Sequence, residues 1–138
     1  MIHHILVAYD GFEPAEHAYD FGLDLASKHK AKLTVLSIAR PPEPAVSVEL
    51  LAVLESATEY YESRFITLGE KAASLGVQPR FEIKVGHPAE QIVHFAEEAG
   101  ADTIVMGHRG ENLLQRWLLG SVAKRVISYA HCTVVVVR

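Results

Sequence analysis

The chain has 138 residues, 49% of them hydrophobic and 22% charged, a composition typical of a globular protein and not of a disordered one. Its net charge of -4 and pI near 6.0 argue against a non-specific nucleic-acid binder, because such a protein needs a basic face. We therefore expect a single domain over residues 1–138 that does not bind nucleic acid.

The sequence also predicts a cellular location. The one cysteine, Cys132, cannot form an internal disulfide, which fits a reducing compartment. The first residues, MIHHILVAYDG, lack the basic region and long apolar run of a signal peptide, and no apolar stretch approaches the ~20 residues that cross a bilayer. We expect a cytoplasmic protein that does not insert into membranes.

The first third of the chain predicts a strand, a helix and a second strand. Residues 3–9 (HHILVAY) form an apolar run that stops at Asp10 and Gly11, as a buried strand entering a loop would. Pro14 suits a first helical turn, and a second strand, Lys32–Ala39, ends at a proline-rich loop. Between them, small and apolar residues recur at helical spacing: Ala15, Ala18, Phe21, Gly22, Leu25 and Ala26.

The middle of the chain predicts its longest helix and an edge strand. The helical pattern runs from about Val48 to Leu75, and Gly76 is a suitable stop. Residues Arg80–Val85 alternate apolar and charged side chains, which indicates a strand that is polar on one face and lies near the sheet edge. The apolar face of the helix comprises Leu51, Leu54, Ala57, Tyr61, Phe65, Leu68 and Ala72.

The last third continues the alternation. A helix is predicted from Pro88 to Ala99, a strand over residues 102–107, a helix from Ser121 to Ala130, and a final strand from Thr133 to Arg138. Strands that alternate with helices of about ten or more residues favour parallel pairing with right-handed crossovers. The predicted fold class is therefore α/β: a doubly wound, five-stranded parallel sheet with helices on both faces.

Glycine and polar residues collect after the first and fourth strands. In doubly wound sheets, ligands bind beyond the carboxyl ends of strands where the winding direction reverses. Asp10 follows the first strand, and Gly107 and Gly110 follow the fourth. If these two strands are neighbours, both loops line one cleft.

The glycines have a spacing that suits phosphate binding. Gly107-x-x-Gly110 is followed by nine residues and then by Gly120 and Ser121, at the start of a predicted helix whose N–H groups and dipole favour an anion. The stretch after the first strand, DGFEPAEH, lacks G-x-G-x-x-G, and the chain lacks G-x-x-x-x-G-K-S/T. A dinucleotide-binding fingerprint and a P-loop are thereby excluded.

Several segments together resemble the universal stress protein family, in its ATP-binding branch. They are ILVAYDG, LTVLSI, GHPAEQIVHFAEEAGADTIVMGHRG and LLGSVAKRVISYAHCTVVVV, in this order and over essentially the whole chain. The resemblance implies an adenine-nucleotide-binding, homodimeric protein of stress response or signalling. It implies that the final strand, Thr133 to Arg138, pairs with its counterpart in a second subunit, which would cover an apolar edge.

The resemblance also implies the site residues. Asp10 and Ala8 would border the nucleoside, and backbone groups around Ile38 would meet the adenine edge. Arg109 could contact phosphate, and a divalent ion such as Mg²⁺ could bridge phosphates to Asp10. Met106 and Gly107 match the positions beside the ribose, and the phosphate positions are matched by Gly110, Gly120, Ser121 and Val122.

Each feature also has a simpler explanation. The glycines could be simple turn residues, and Asp10 and Ser121 could cap helices without contacting a ligand. Many family members have Gly-Ser after the first aspartate, whereas Phe12 follows Gly11 here, so a helix cap or ligand contact could be lost and Phe12 could cover the cleft. The eight histidines are scattered without zinc-site spacing, so no metal site is predicted.

Two other functions remain as alternatives. A structural or partner-binding member of the family would have lost the nucleotide. A nucleotide-dependent α/β enzyme would need further catalytic signatures, such as H-x-G-H, which the sequence lacks. No residue pair resembles a general base with its nucleophile, so any ATP hydrolysis is expected to be slow.

Overall fold

The computed structural model describes residues 1–41, 47–108 and 120–138. The predictions for Arg109 and Gly110 therefore lie outside the described residues. Strands and helices alternate as predicted, in the order β1 (His4–Ala8), α1 (Glu13–His29), β2 (Lys32–Ala39), α2 (Ser47–Ala73), β3 (Arg80–Val85), α3 (Pro88–Ala99), β4 (Thr103–Gly107), α4 (Ser121–Tyr129) and β5 (Thr133–Val137).

The five strands form one sheet in the order β3-β2-β1-β4-β5, and every neighbouring pair is parallel. The predicted α/β class with a parallel sheet is confirmed. The chain winds from β1 outward to β3 and then crosses to β4, so β1 and β4 are neighbours at the reversal. This order places the loop after β1 beside the loop after β4, and it leaves β3 at one edge, as predicted, and β5 at the other.

The sheet is covered on both faces because successive strand residues point to opposite sides. In β1, Ile5 and Val7 pack with α1 and α2, whereas Leu6 packs with α3 and α4. All three are fully buried. The apolar runs in β1, β2 and β4 therefore reflect strands that are buried on two faces.

Helix α1 lies unusually close to the sheet at Gly22. A Cβ atom at this position would lie 2.6 Å from Cγ2 of Val7, too close for any real pair of carbon atoms. The absence of a side chain at Gly22 thus sets the distance between α1 and β1.

Two residues of the predicted helix faces are exposed. Leu51 is 64% exposed, because α2 is longer than the sheet it covers: 27 helical residues span about 40 Å, against roughly 26 Å for the eight residues of β2. The fully buried positions of α2 lie in its C-terminal half. Phe21 is 43% exposed, because the buried face of α1 continues toward Tyr19 and Leu23 on the opposite flank.

Asp102 ties the start of β1 to the start of β4. One carboxylate oxygen accepts from the backbone N–H groups of His3 (2.7 Å) and His4 (3.1 Å), and the other accepts from the Thr103 hydroxyl (3.0 Å). Burial opposes ionisation, but these hydrogen bonds outweigh it and hold the pKa of Asp102 below its ordinary value. The carboxylate is therefore a structural clamp at the end of the sheet opposite the site described next.

No helix in the described part of the chain is long and apolar enough to span a membrane.

Candidate functional site

A cleft opens beyond the carboxyl ends of β1, β2 and β4, where α4 begins. This is the place where a doubly wound sheet with this strand order binds ligands. Eight of the residues predicted from the sequence line it together: Ala8, Asp10, Ile38, Met106, Gly107, Gly120, Ser121 and Val122.

The loop after β1 presents Asp10 to the cleft. Gly11 has a φ of 87°, which is a conformation that favours glycine, and it turns the chain sharply into α1. One Asp10 carboxylate oxygen accepts from the N–H of Phe12 at 3.1 Å. The N-cap of α1 is Phe12, so Asp10 stabilises the loop and is not the cap of the helix. Phe12 is 49% exposed, and the described cleft wall does not include it.

Gly107 is required for packing at the end of β4. A Cβ atom here would lie 2.8 Å from Cβ of Pro14 and even closer to the Pro14 carbonyl group. The first turn of α1 therefore packs directly on the backbone of β4. Gly107 brings the two loops together and so helps to form the cleft, whether or not it also contacts a ligand.

The N-terminus of α4 forms the far wall. The first hydrogen bond of this helix runs from the Lys124 N–H to the Gly120 carbonyl at 2.9 Å. The preceding N–H groups, at Ser121, Val122 and Ala123, have no partner within the helix, and together with its dipole they favour an anion. Ser121 is the first helical residue and Gly120 is the N-cap, with no side-chain cap, so the possibility that Ser121 only caps α4 is wrong.

Main-chain groups of β2 face the cleft at Ile38. The Leu36 carbonyl accepts from the N–H of Tyr9 at 2.9 Å, so the peptide groups of Leu36 point toward β1. Alternate residues of a parallel strand point to the same neighbour, hence those of Ile38 point the same way, beyond the last residue of β1. They offer a donor and an acceptor side by side at the cleft wall.

Sequence reasoning missed the contribution of the helices to this wall. Tyr61 of α2 lines the cleft, and its hydroxyl donates to the Ile38 carbonyl at 3.5 Å. Pro88 and Ile92 of α3 line it as well. These residues were placed on helices and on an apolar helix face from their spacing, but spacing does not show that the face ends at a strand terminus. Only the packing of α2 and α3 against β2 shows this.

Tyr9, buried beneath the Asp10 loop, is held in its neutral form. Burial raises its pKa strongly, and the hydrogen bond that its hydroxyl donates to Glu16 raises the pKa further. Its carbonyl accepts from the Ser37 hydroxyl at 2.7 Å. Tyr9 is therefore a fixed structural element of the cleft and no proton donor or nucleophile at neutral pH.

Neither Cys132 nor His108 is part of the described cleft wall. Burial raises the pKa of the Cys132 thiol, and the nearby Asp102 carboxylate raises it further, so the thiol stays protonated. His108 is buried directly after β4, and its N–H donates to the Val137 carbonyl at 2.8 Å. Over residues 1–41, 47–108 and 120–138, no three or more His, Cys, Asp or Glu side chains are grouped to hold a metal ion.

Comparison with known proteins identifies the family. The profile of the Universal stress protein family matches residues 1–138. The chain belongs to this family. It is 31% identical over 150 residues to the universal stress protein YxiE of Bacillus subtilis, covering 100% of both chains. It is 34% identical over 140 residues to the universal stress protein MJ0531 of Methanocaldococcus jannaschii, covering 97% of this chain and 81% of that relative.

Solved universal stress proteins share the fold. The universal stress protein UspA from Lactobacillus plantarum superposes with a TM-score of 0.90 at 27% identity, covering 99% of this chain and 98% of that one. A universal stress protein solved in complex with cAMP and one from Archaeoglobus fulgidus solved with dAMP superpose with TM-scores of 0.69 and 0.70. At 22% and 23% identity, these two demonstrate likeness of fold alone.

Proposed function

We propose that this universal stress protein binds ATP or a related adenine nucleotide in the cleft and acts in cytoplasmic stress response or signalling. The observation that carries the proposal is one cleft that combines a carboxylate, a backbone donor–acceptor pair and a helix N-terminus. Two proteins of the same fold bind cAMP and dAMP, which are also adenine nucleotides.

The adenine base is assigned to the β2 side. Adenine presents an acceptor, N1, beside a donor, its 6-amino group. The N–H and C=O of Ile38 complement this pair, and both point into the cleft. Ala8 and Met106 are apolar and lie at the ends of the neighbouring strands, where they can pack against the nucleoside.

Ribose and phosphates are assigned to the other two walls. The Asp10 carboxylate can accept from ribose hydroxyls. Phosphate oxygens are assigned to the free N–H groups of Ser121 and Val122 at the start of α4, with Gly120 allowing close approach. The proposal extends to Gly107, Arg109 and Gly110, and to a Mg²⁺ ion accompanying the phosphates near Asp10.

The direct test is the nucleotide itself. Purified protein is denatured, and the released small molecules are identified by mass spectrometry; in parallel, ATP is titrated into nucleotide-free protein by calorimetry. The proposal predicts adenine nucleotide in the first experiment or saturable binding in the second. If no adenine nucleotide is released and ATP does not bind, the proposal is wrong and the partner-binding alternative replaces it.

A Gly120→Val variant then tests the position of the site. The backbone at Gly120 has φ -58° and ψ 155°, which any residue can adopt, so the fold is expected to persist. A branched side chain at this cleft-lining position should lower ATP affinity at least 30-fold, about 2 kcal/mol. Unchanged affinity in a variant with an unchanged circular dichroism spectrum would rule out this end of the cleft.

The proposal includes a homodimer through β5. The N–H of Thr133 donates to the Asp102 carbonyl at 3.3 Å, and the Val137 carbonyl accepts from His108, so the odd-numbered residues of β5 face β4. The peptide groups of Val134 and Val136 therefore point to the open edge of the sheet. A second copy of β5 can pair with them about a two-fold axis.

A proline substitution on this edge tests whether β5 pairs with a second subunit, without removing hydrogen bonds within the sheet. Val136→Pro removes an outward N–H and leaves the hydrogen bonds to β4 in place. Light scattering after gel filtration should give a dimer for the wild type and a monomer for the variant. A wild-type monomer would refute the dimer, and a dimeric variant would refute pairing through β5.

A further inference from the structure

We infer that Tyr60 of α2 is a positioning residue, whose ring holds the loop after β1 in the conformation that presents Asp10 to the cleft. Its effect on nucleotide binding rests on the proposed function. The inference is carried by the contact between Tyr60 and Gly11. A Cβ atom at Gly11 would lie 2.8 Å from Cε2 and 2.9 Å from Cζ of the Tyr60 ring, and closer still to its hydroxyl oxygen. The phenol therefore lies against the loop backbone directly after Asp10.

The loop between β1 and α1 gains from support by another element. Gly11 has a φ of 87°, and glycine has more accessible backbone conformations than any other residue. Phe12 is the N-cap of α1 and makes no side-chain cap hydrogen bond, which Ser, Thr, Asp or Asn would provide there. The Asp10 carboxylate accepts from the N–H of Phe12, so it moves with the loop. A contact that holds Gly11 therefore also holds Asp10.

The Tyr60 ring is itself held by side chains of its own helix. The guanidinium carbon of Arg64, one turn further along α2, lies 5.1 Å from the centroid of the Tyr60 ring, within cation–π distance. Tyr61 packs edge-on against Tyr60 with centroids 5.3 Å apart, and it stacks on Phe65 at 6.3 Å. Phe65 is buried and stacks on Phe81 of β3. The Tyr60 ring is thus connected to the core through packed aromatic rings.

Tyr60 acts on the loop from outside the ligand site. Asp10 lines the described cleft, and Tyr60 does not. Tyr60 is 40% exposed, so its truncation removes packing at the surface and little of the core. Without the ring, binding of a nucleotide must order the loop. Partial ordering of about one backbone residue corresponds to roughly 3- to 10-fold in affinity.

The first experiment needs no nucleotide. Hydrogen exchange of single amides is followed by NMR in the wild type, Tyr60→Ala and Tyr60→Phe. The N–H groups of Ala15 and Glu16 donate to the Phe12 carbonyl at 3.0 and 3.1 Å, so their exchange reports opening of the loop and the first turn of α1. Exchange should be about 3- to 10-fold faster in Tyr60→Ala and unchanged in Tyr60→Phe, which keeps the ring. The N–H of Leu23, in the middle of α1, should exchange equally in all three proteins.

The second experiment measures ATP affinity by calorimetry at fixed salt and Mg²⁺. Tyr60→Ala should bind ATP about 3- to 10-fold more weakly, and Tyr60→Phe should bind it as the wild type does. The matched control is Ile66→Ala, which truncates a side chain of the same helix that is 66% exposed, and it should keep the wild-type affinity. In an Asp10→Asn background, Tyr60→Ala should lose most of its effect, because the carboxylate that it positions is gone.

The outcomes separate this inference from the proposed function. Unchanged exchange in Tyr60→Ala, or faster exchange that extends to Leu23, would refute the local role of Tyr60. Equal defects in Tyr60→Ala and Tyr60→Phe would refute the ring as the cause. Faster exchange with wild-type ATP affinity, or a full effect in the Asp10→Asn background, would refute the positioning of Asp10. If the wild type binds no ATP, the proposed function is wrong, and the exchange rates still decide whether Tyr60 holds the loop.

Discussion

The same substitution, glycine to alanine, should have opposite effects on stability in two helices of this protein. Gly22 lies in α1 and Gly69 in α2. Alanine favours a helix over glycine by roughly 0.5–1 kcal/mol at either position. At Gly69 the new Cβ would lie 3.6 Å from the Phe81 ring, an ordinary van der Waals contact. Gly69→Ala should therefore raise the free energy of unfolding by about 0.5–1 kcal/mol.

At Gly22 the contact with the sheet outweighs helix propensity. The new Cβ would lie 2.6 Å from Cγ2 of Val7, roughly 1 Å inside the preferred separation of two carbon atoms. Val7 is fully buried in β1, between β2 and β4, so the strand has little freedom to move. Overpacking costs about 1–3 kcal/mol, and with the propensity gain subtracted the net loss for Gly22→Ala is about 0.5–2 kcal/mol.

Urea unfolding followed by circular dichroism, at one protein concentration, measures both variants against the wild type. The two midpoints should move in opposite directions, with the variants separated by the overpacking cost of about 1–3 kcal/mol. In a Val7→Ala background, Gly22→Ala should no longer destabilise the protein, a coupling of at least about 1 kcal/mol. A Gly22→Ala variant as stable as the wild type would refute the close approach of α1 to β1.

Two further variants test carboxylates at opposite ends of the sheet. Asp102→Asn should lower the free energy of unfolding at pH 7 by about 1–2 kcal/mol, because an amide oxygen replaces a carboxylate that accepts three hydrogen bonds. Since the folded pKa of Asp102 lies below its ordinary 3.8, this stabilisation is complete above that value and disappears as the pH falls through the folded pKa. Acid unfolding curves should therefore converge below about pH 4, and a constant gap down to pH 2 would contradict the clamp. Asp10→Asn keeps an acceptor for the Phe12 N–H but loses the negative charge, so ATP affinity should fall about 5- to 20-fold. Asp24 is an exposed partner of Lys28 on α1, so the control Asp24→Asn should leave ATP affinity unchanged. Equal affinities for the two variants would remove Asp10 from the site.

Much of the fold could be predicted because its causes are local. Apolar runs such as ILVA predict buried strands, and helical spacing predicts α1 to α4 with bounds close to those observed. The sequence did not determine which residue caps α4. Ser121 has the right chemistry for a cap, but the helix begins at Ser121 and the cap is Gly120. Cap positions differ by a single peptide, and composition does not distinguish them.

Other features depend on distant parts of the chain. The sequence alone could state only that β1 and β4 bring Asp10 and Gly107 together if they are neighbours, and the strand order makes them so. It assigned Gly107 to ligand binding, whereas the packing shows that Pro14 occupies the space of a side chain there.

The sequence by itself determined the class of fold, the family resemblance and the residue types of the cleft. These follow from periodicity and from short motifs, which are properties of neighbouring residues. Only the tertiary structure decided which side chains reach distant main-chain groups, such as Tyr61 at the Ile38 carbonyl and Asp102 at the His3 N–H. Those contacts join residues 23 and 99 positions apart, and they exist because packing on the sheet, not sequence proximity, sets the distance between them.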